Sequence, residues 1–255
     1  MRNNLHTHTA RCRHAWGTET EYVEQALKAG IQKLGFSDHT PQWFDGDYYS
    51  RFRMYPQQLT DYMDSVLALR EQYADKITIH LGLEAEYYPK YFPELLSRLR
   101  DTPTEYLLLG QHYIGNEIGD QYSGWETGDP DHLRRYCKQV ADAMYTGLFT
   151  YLAHPDLIHY MGDPALYRDQ MRTVCKAAKD CDLPLELNLL GIREQRHYPN
   201  PDFWAVAAEE NCTVILGIDA HEPVHMNDPK TEALALEMAN RYGLRLVEDT
   251  PLRRL

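Results

Sequence analysis

The chain has 255 residues, with 26 Lys+Arg against 38 Asp+Glu and a formal net charge of −12. A field of that sign repels polyanions, so general binding to nucleic acid or to an anionic membrane surface is disfavoured, and no apolar run is long enough to cross a bilayer. The composition, 43% hydrophobic and 25% charged, is that of a folded globular chain.

The opening Met1-Arg2-Asn3-Asn4-Leu5-His6 lacks the apolar centre of a secretory signal. Five cysteines without a CxxC pair (Cys12, Cys137, Cys175, Cys181, Cys212) fit a reducing compartment and argue against disulfides or a thiolate zinc site. A cytoplasmic location is the expectation. Twelve His and nineteen Tyr are the unusual features.

Short β-like runs alternate with longer helical ones from end to end, with no linker, repeat or low-complexity tract. A strand over Asn3 to Thr9 precedes a helix over Thr18 to Ala29, which Gly30 stops. Lys33 to Ser37 is the second strand, followed by a long irregular segment and a helix over Pro56 to Tyr73. Then come strand Ile77 to Ala85 with helix Phe92 to Arg100, strand Tyr106 to Tyr113 with helix Pro130 to Tyr145, and strand Thr150 to Ala153 with helix Pro164 to Asp180. Strand Leu183 to Leu190 precedes helix Pro201 to Glu210, and strand Thr213 to Ile218 precedes helix Lys230 to Tyr242.

Seven β-then-α units in one domain over 1–255 imply an α/β fold with parallel strands and right-handed crossovers, closed or nearly closed into a barrel. Polar residues fall where such a barrel gathers them. His6, His8, Asp38, His39, Glu84, His112, His154, Asp219 and His221 all sit at or just past a strand's C-terminal end, and His14 lies in the loop after the first. His6 and His8 share a strand face by their i, i+2 spacing, as do Asp219 and His221. Ten such donors at one mouth are hard to explain as packing, because each buried polar group without a partner costs ~1–3 kcal/mol. More than one divalent metal would supply the partners, with Glu84 and Asp219 bridging, and nitrogen and oxygen ligands suit Zn, Mn or Fe.

His6-Thr-His8, His14, Asp38-His39, Gly-x-Glu84, His112, His154-Pro and Asp219-Ala-His221, in this order, resemble the PHP (polymerase and histidinol phosphatase) family over nearly the whole chain. The length, the Glu186-Leu-Asn188-x-x-Gly191 stretch and Tyr198-Pro199 are similar to its stand-alone histidinol-phosphate phosphatases. The resemblance implies a distorted (β/α)7 TIM-like barrel and three divalent ions. It puts His6, His8, Glu84 and Asp219 on the first, Glu84, His112 and His154 on the second, and His14, His39 and His221 on the third. Asp38 is either a ligand of the third ion or an orienting group for His39. The implied reaction is hydrolysis of a small phosphomonoester, L-histidinol phosphate, by a metal-bridging hydroxide, with Glu84, Asp219 and Asp38 in the catalytic set and His197 as the candidate acid.

A phosphate needs cationic partners beyond the metals. Arg193 and Arg196, which follow a strand end closely, rank ahead of Arg51 and Arg53 in the earlier loop. The acidic, Tyr-rich neighbourhood of Asp45, Asp47, Tyr48, Tyr49, Asp120 and Tyr122 offers surroundings for a cationic leaving group. His80 is expected to hydrogen-bond inside the barrel, His132, His159 and His225 to be surface imidazoles, and Trp16, Trp43, Trp125 and Trp204 receive no role. Other PHP phosphoesterases, an amidohydrolase-type barrel and a metal-stabilised scaffold are the alternatives. Glu84 after the third strand, the Asp38-His39 pair and His221 beside Asp219 speak against the amidohydrolase.

Overall fold

The computed structural model describes residues 1–119 and 121–255; Asp120 lies outside the described residues. Eight parallel strands lie in sequence order in one sheet: β1 (Asn3–Asn4), β2 (Lys33–Phe36), β3 (Thr78–Ala85), β4 (Tyr106–Leu109), β5 (Phe149–Leu152), β6 (Leu185–Asn188), β7 (Thr213–Gly217) and β8 (Arg245–Val247). The helices between them are α1 (Glu19–Ala29), α2 (Leu59–Gln72), α3 (Phe92–Leu99), α4 (Pro130–Tyr145), α5 (Pro164–Asp180), α6 (Leu189–Arg193), α7 (Pro201–Glu209) and α8 (Pro229–Tyr242).

The seven expected units are present, with two additions. β8 is three residues beside β7, pairing Thr213 with Arg245, and is too short to show in the hydrophobic pattern. The expected strand Leu183 to Leu190 ends at Asn188, whose side chain accepts the Gly191 N–H at 2.9 Å and so opens the short helix α6. The first strand is likewise shorter than expected, but its continuation closes the sheet. Thr7 bridges Ala220 in parallel, with His8 N–H donating to the Ala220 carbonyl at 2.9 Å. The sheet curls until the chain beyond β1 meets the chain beyond β7, and β8 fills the seam lower down, where the Asn3 amide donates to the Glu248 carbonyl.

Local chemistry explains the helix starts. Asp129, Asp163, Asn200 and Asp228 each precede a proline at the first helical position, and each side chain accepts a first-turn N–H. Thr18 and Glu21 form a capping box on α1. The main core lies between sheet and helices; a smaller one, Leu5, Tyr106, Leu108, Tyr151, Ala153 and Ile215, fills the barrel's inside. No described helix is long and apolar enough to cross a membrane.

Candidate metal centre

The C-terminal ends of the strands open into a cavity of about 480 Å³. Glu84, buried near the C-terminal end of β3, is its centre. Oε1 lies 3.0 Å from His154 Nε2, while Oε2 lies 3.0 Å from His39 Nδ1, 3.5 Å from His8 Nε2 and 3.6 Å from His6 Nε2. Asp219 Oδ1 is 3.1 Å from His8 Nε2 and 3.5 Å from His6 Nε2. The i, i+2 spacing of His6 and His8 works as expected, since their Nε2 atoms converge to 3.2 Å.

Ligand atoms within 4.8 Å of one another form overlapping groups. They are His6, His8 and Asp219; His6, Glu84 and His154; His8, His39 and Glu84; and His14, His39 and His221. His112 stands alongside, its ring 4.9 Å from His154 and 5.3 Å from His39. Eight of the nine proposed metal-binding positions thus line one cavity, and His6 is buried directly behind it against Glu84 and Asp219. Two of them, His154 (φ 30°) and Asp219 (φ 51°), hold the left-handed backbone region, a strain that accumulates at functional positions.

Burial disfavours charge on His6, but Asp219, Glu186 and Glu84 outweigh it and raise the imidazole well above its ordinary range. Burial likewise opposes the shift of His8, raised well above that range through Asp219 and Asp38. His39 and His221 are pulled well below it by burial, with His8 adding to the effect. Burial, with His154 and Arg53 adding to it, takes His112 down to about 3. Burial pushes Glu84 and Asp219 upward, yet the surrounding imidazoles hold both well below the carboxylate range. Anionic carboxylates beside His39, His112 and His221, which burial keeps neutral, form a cation-binding array in which a metal ion would displace the protons that the carboxylates draw onto His6 and His8.

The fit to metal rests on unmet bonding capacity. Glu84 Oε2, Asp219 Oδ1 and His39 Nδ1 face the cluster and are buried close together without a well-directed hydrogen bond, a cost that a folded protein does not carry in one place without a ligand. Imidazole nitrogens and carboxylate oxygens suit borderline divalent ions. Cys12 also places its sulfur within 4.8 Å of His8 and His221 nitrogens, although burial pushes its thiol up to about 11.

Two carboxylates in the surrounding shell had no site role in the sequence reading. Glu186 Oε1 lies 2.8 Å from His6 Nδ1, while Oε2 accepts the His154 N–H at 3.0 Å and the Asn188 amide at 2.8 Å. Asn188 also donates to Asp219 Oδ2 at 3.1 Å. A Cβ at Gly217 would stand 1.7 Å from Glu186 Oε1, so glycine is what leaves room for that carboxylate. Glu86 takes His112 Nδ1 at 2.7 Å. The signal was the inward-facing i, i+2 pattern that both share with a neighbour, Glu84-x-Glu86 and Glu186-x-Asn188.

Asp38 is buried, accepts the His39 backbone N–H at 2.8 Å and a bond from the Thr9 hydroxyl, and lies 3.5 Å from His8 Nδ1. It therefore faces the His8 ring, and the His39 ring instead faces Glu84. His197, the candidate acid, lies off the cavity wall: its Nε2–H donates to the Leu157 carbonyl at 2.6 Å and its ring stacks on His159 at 4.1 Å. Arg53, one of the candidate phosphate ligands, is fully buried against Glu117 and Glu86 and is not part of the cavity wall. Arg193 is tied to Asp228 at 2.9 Å and Arg51 lies exposed on its loop, both off the cavity wall.

Arg196 lines the cavity, bonded to the Tyr198 hydroxyl at 2.7 Å and to Glu194. Glu194, Glu222, Trp16 and Trp125 share the mouth. Tyr122 joins them, whereas Asp45 pairs with Lys90. His132 is buried on α4 and His225 is a wall residue whose Nδ1 accepts the His221 N–H at 3.2 Å, so neither is the surface imidazole expected. His80 bonds Glu105 at 3.4 Å at the opposite end of the barrel.

Residues 4–189 match the family model described as PHP domain. A Deinococcus radiodurans protein named "Probable histidinol-phosphatase" is 33% identical over 232 residues, covering 86% of this chain and 85% of its own. The Bacillus subtilis "Histidinol-phosphatase" is 29% identical over 116 residues, 43% of each chain. A histidinol phosphate phosphatase structure from Lactococcus lactis, solved with zinc, L-histidinol and phosphate, superposes with a TM-score of 0.72 at 18% identity, covering 96% of this chain and 95% of that one. The order of ligand-bearing strand ends, the parallel barrel and the matched model agree: this chain belongs to the PHP family.

Proposed function

We propose that the protein hydrolyses L-histidinol phosphate to L-histidinol and inorganic phosphate, using three divalent ions held at the strand ends. The observation that carries this reading is the Glu84 carboxylate, whose two oxygens face His154 on one side and His6, His8 and His39 on the other. His6, His8, Asp219 and Glu84 would hold one ion, Glu84, His154 and His112 a second, and His14, His39 and His221 a third. Divalent ions supply Lewis acidity when bound, making water more acidic and neutralising charge on phosphoryl oxygens.

The chain's own groups do the rest. Glu186 keeps the His6 proton on Nδ1 and leaves Nε2 facing the cluster, and Asp38 lies on the corresponding side of the His8 ring, 3.5 Å from its Nδ1. Arg196, on the cavity wall, is the cation placed to bind the phosphoryl oxygens, steadied by Glu194 and Tyr198. Glu194 and Glu222 give the mouth the negative charge that suits a protonated amine, and the exposed rings of Trp16 and Trp125 (63% and 62% accessible) offer faces for an imidazole. The 33% identical relative with the same printed activity supports this substrate.

The test is phosphate release from L-histidinol phosphate, phosphotyrosine, glycerol phosphate and an aryl phosphate by protein loaded with zinc or manganese. A kcat/KM for L-histidinol phosphate at least a hundredfold above the others, abolished in Glu84→Ala, is expected. Equal turnover of all four would leave a broad phosphomonoesterase, and no turnover above the Glu84→Ala background would overturn the reading.

A further inference from the structure

Arg53, Glu86 and Glu117 form a buried ion cluster between the mouth loops and the metal centre. Arg53 and Glu86 are 0% and 2% exposed, and Glu117 5%. Arg53 comes from the loop after β2, Glu86 from just past β3 and Glu117 from the loop after β4. The guanidinium reaches Glu117 Oε1 through Nε at 2.7 Å and Nη2 at 2.5 Å, the Thr40 carbonyl through Nη1 at 3.0 Å, and Glu86 Oε2 through Nη2 at 3.2 Å. The other oxygen of Glu86 grips His112 twice, at the backbone N–H (3.1 Å) and at Nδ1 (2.7 Å).

A buried ion cluster is weak as a stabilising device, since well-packed apolar residues of the same volume do as well or better. Its use is geometric. A carboxylate on Nδ1 fixes that proton, turns the ring and leaves Nε2 as the free ligand atom. The second oxygen of Glu86 makes no hydrogen bond, and the charge it faces is the Arg53 guanidinium, an ion-pair contact at 3.2 Å held in place by the fork's anchorage to Glu117.

We propose that Arg53 is a positioning residue for His112, acting through Glu86, so that the β2 and β4 mouth loops hold one metal ligand in place. This rests on the reading of His112 as a ligand, and the same pin fixes the neighbouring Phe52, whose ring stands 5.1 Å from His39 and 5.7 Å from His112. Lys at position 53 keeps the charge but offers a single point in place of the fork, and Gln at position 86 keeps an oxygen for Nδ1–H.

The experiment is chelator-competition titration of metal-free protein with zinc alone, for wild type, Arg53→Lys, Glu86→Ala, Glu86→Gln, His112→Ala and the Glu86→Ala/His112→Ala double variant, with near-UV circular dichroism to verify folding. His112→Ala is expected to weaken one zinc equivalent. Glu86→Ala and Arg53→Lys are expected to weaken that same equivalent by roughly 10- to 100-fold, Glu86→Gln, which keeps the acceptor for Nδ1–H but turns an amide NH2 toward Arg53, to recover only part of it, and the double variant to match His112→Ala. Should Glu86→Ala fail to fold, Arg53→Lys and Glu86→Gln carry the same comparison. Wild-type affinity in Arg53→Lys and Glu86→Ala, with His112→Ala impaired, overturns the proposal. So does further weakening in the double variant, which would mean that Glu86 acts on the fold and not through His112. Full zinc binding by His112→Ala would instead remove the ligand reading of His112, and the proposal with it.

Discussion

The two ends of the barrel interior are built on opposite terms. Toward the N-terminal ends of the strands, Tyr106 fills the lumen with its hydroxyl bonded to the Leu5 carbonyl at 2.7 Å and the Phe36 carbonyl at 3.2 Å. Its ring fits because Gly82 has no side chain there: a Cβ would stand 2.2 Å from it. Tyr106 is satisfied there without an outside partner. Toward the C-terminal ends, carboxylates and imidazoles are equally buried but leave ligand atoms unsatisfied. One half of the interior stabilises the fold by packing, and the other spends stability on a site that cations complete.

Substitutions can break this contrast from either side. Glu84→Ala removes the carboxylate shared by the overlapping ligand groups and should lower phosphomonoesterase turnover by about a thousandfold, with loss of bound metal by elemental analysis and an unchanged far-UV spectrum. Tyr106→Ala should cost about 3–5 kcal/mol in urea unfolding through the cavity it leaves, while metal content per folded chain stays at the wild-type value. If Tyr106→Ala also stripped the metal, the two layers would not be independent.

Removing metal sharpens the same comparison. Zinc at a hundred times its Kd contributes about 2.7 kcal/mol to a protein that binds it only when folded, so a chelator should lower the melting temperature of wild type and leave Glu84→Ala much less affected. The smallest expected effect lies at the lower end. Burial pushes Glu105 upward, but His80, the Leu81 N–H and Arg70 outweigh it and hold the carboxyl at about 2. A folded value below the ordinary ~4.3 means that the group stabilises the fold above that pH and loses its contribution as pH falls toward 2. Glu105→Gln should therefore melt below wild type at pH 7, with the gap closing as pH falls from about 4.5 toward 2; a constant gap would contradict this.

The parts of the site carried by strands were legible in the sequence, because parallel strands in a barrel send their C-terminal ends to one mouth whatever the loops do. Hence His6, His8, His39, Glu84, His112, His154, Asp219 and His221 come together as their positions implied. Residues on loops were not legible in this way. Arg53 and Arg196 both follow strand ends in polar segments, yet Glu117, from a loop more than sixty residues further on, buries the first, while the second stays at the cavity wall. His197 points at the Leu157 carbonyl for a similar reason: its partner is set by how two loops pack, and no spacing rule encodes that. Glu86 and Glu186 were visible as inward positions, but their value lies in which histidine each one touches.

The central claim is that residues from 6 to 221 jointly hold divalent cations in one pocket. Anomalous diffraction at the zinc edge from crystals grown with zinc tests it most directly. The account predicts more than one anomalous peak inside the cavity, with Glu84 and Asp219 oxygens and His6, His8 and His154 nitrogens at the ~2.0–2.2 Å of zinc coordination. A cavity without peaks, or peaks only at surface carboxylates, would contradict it.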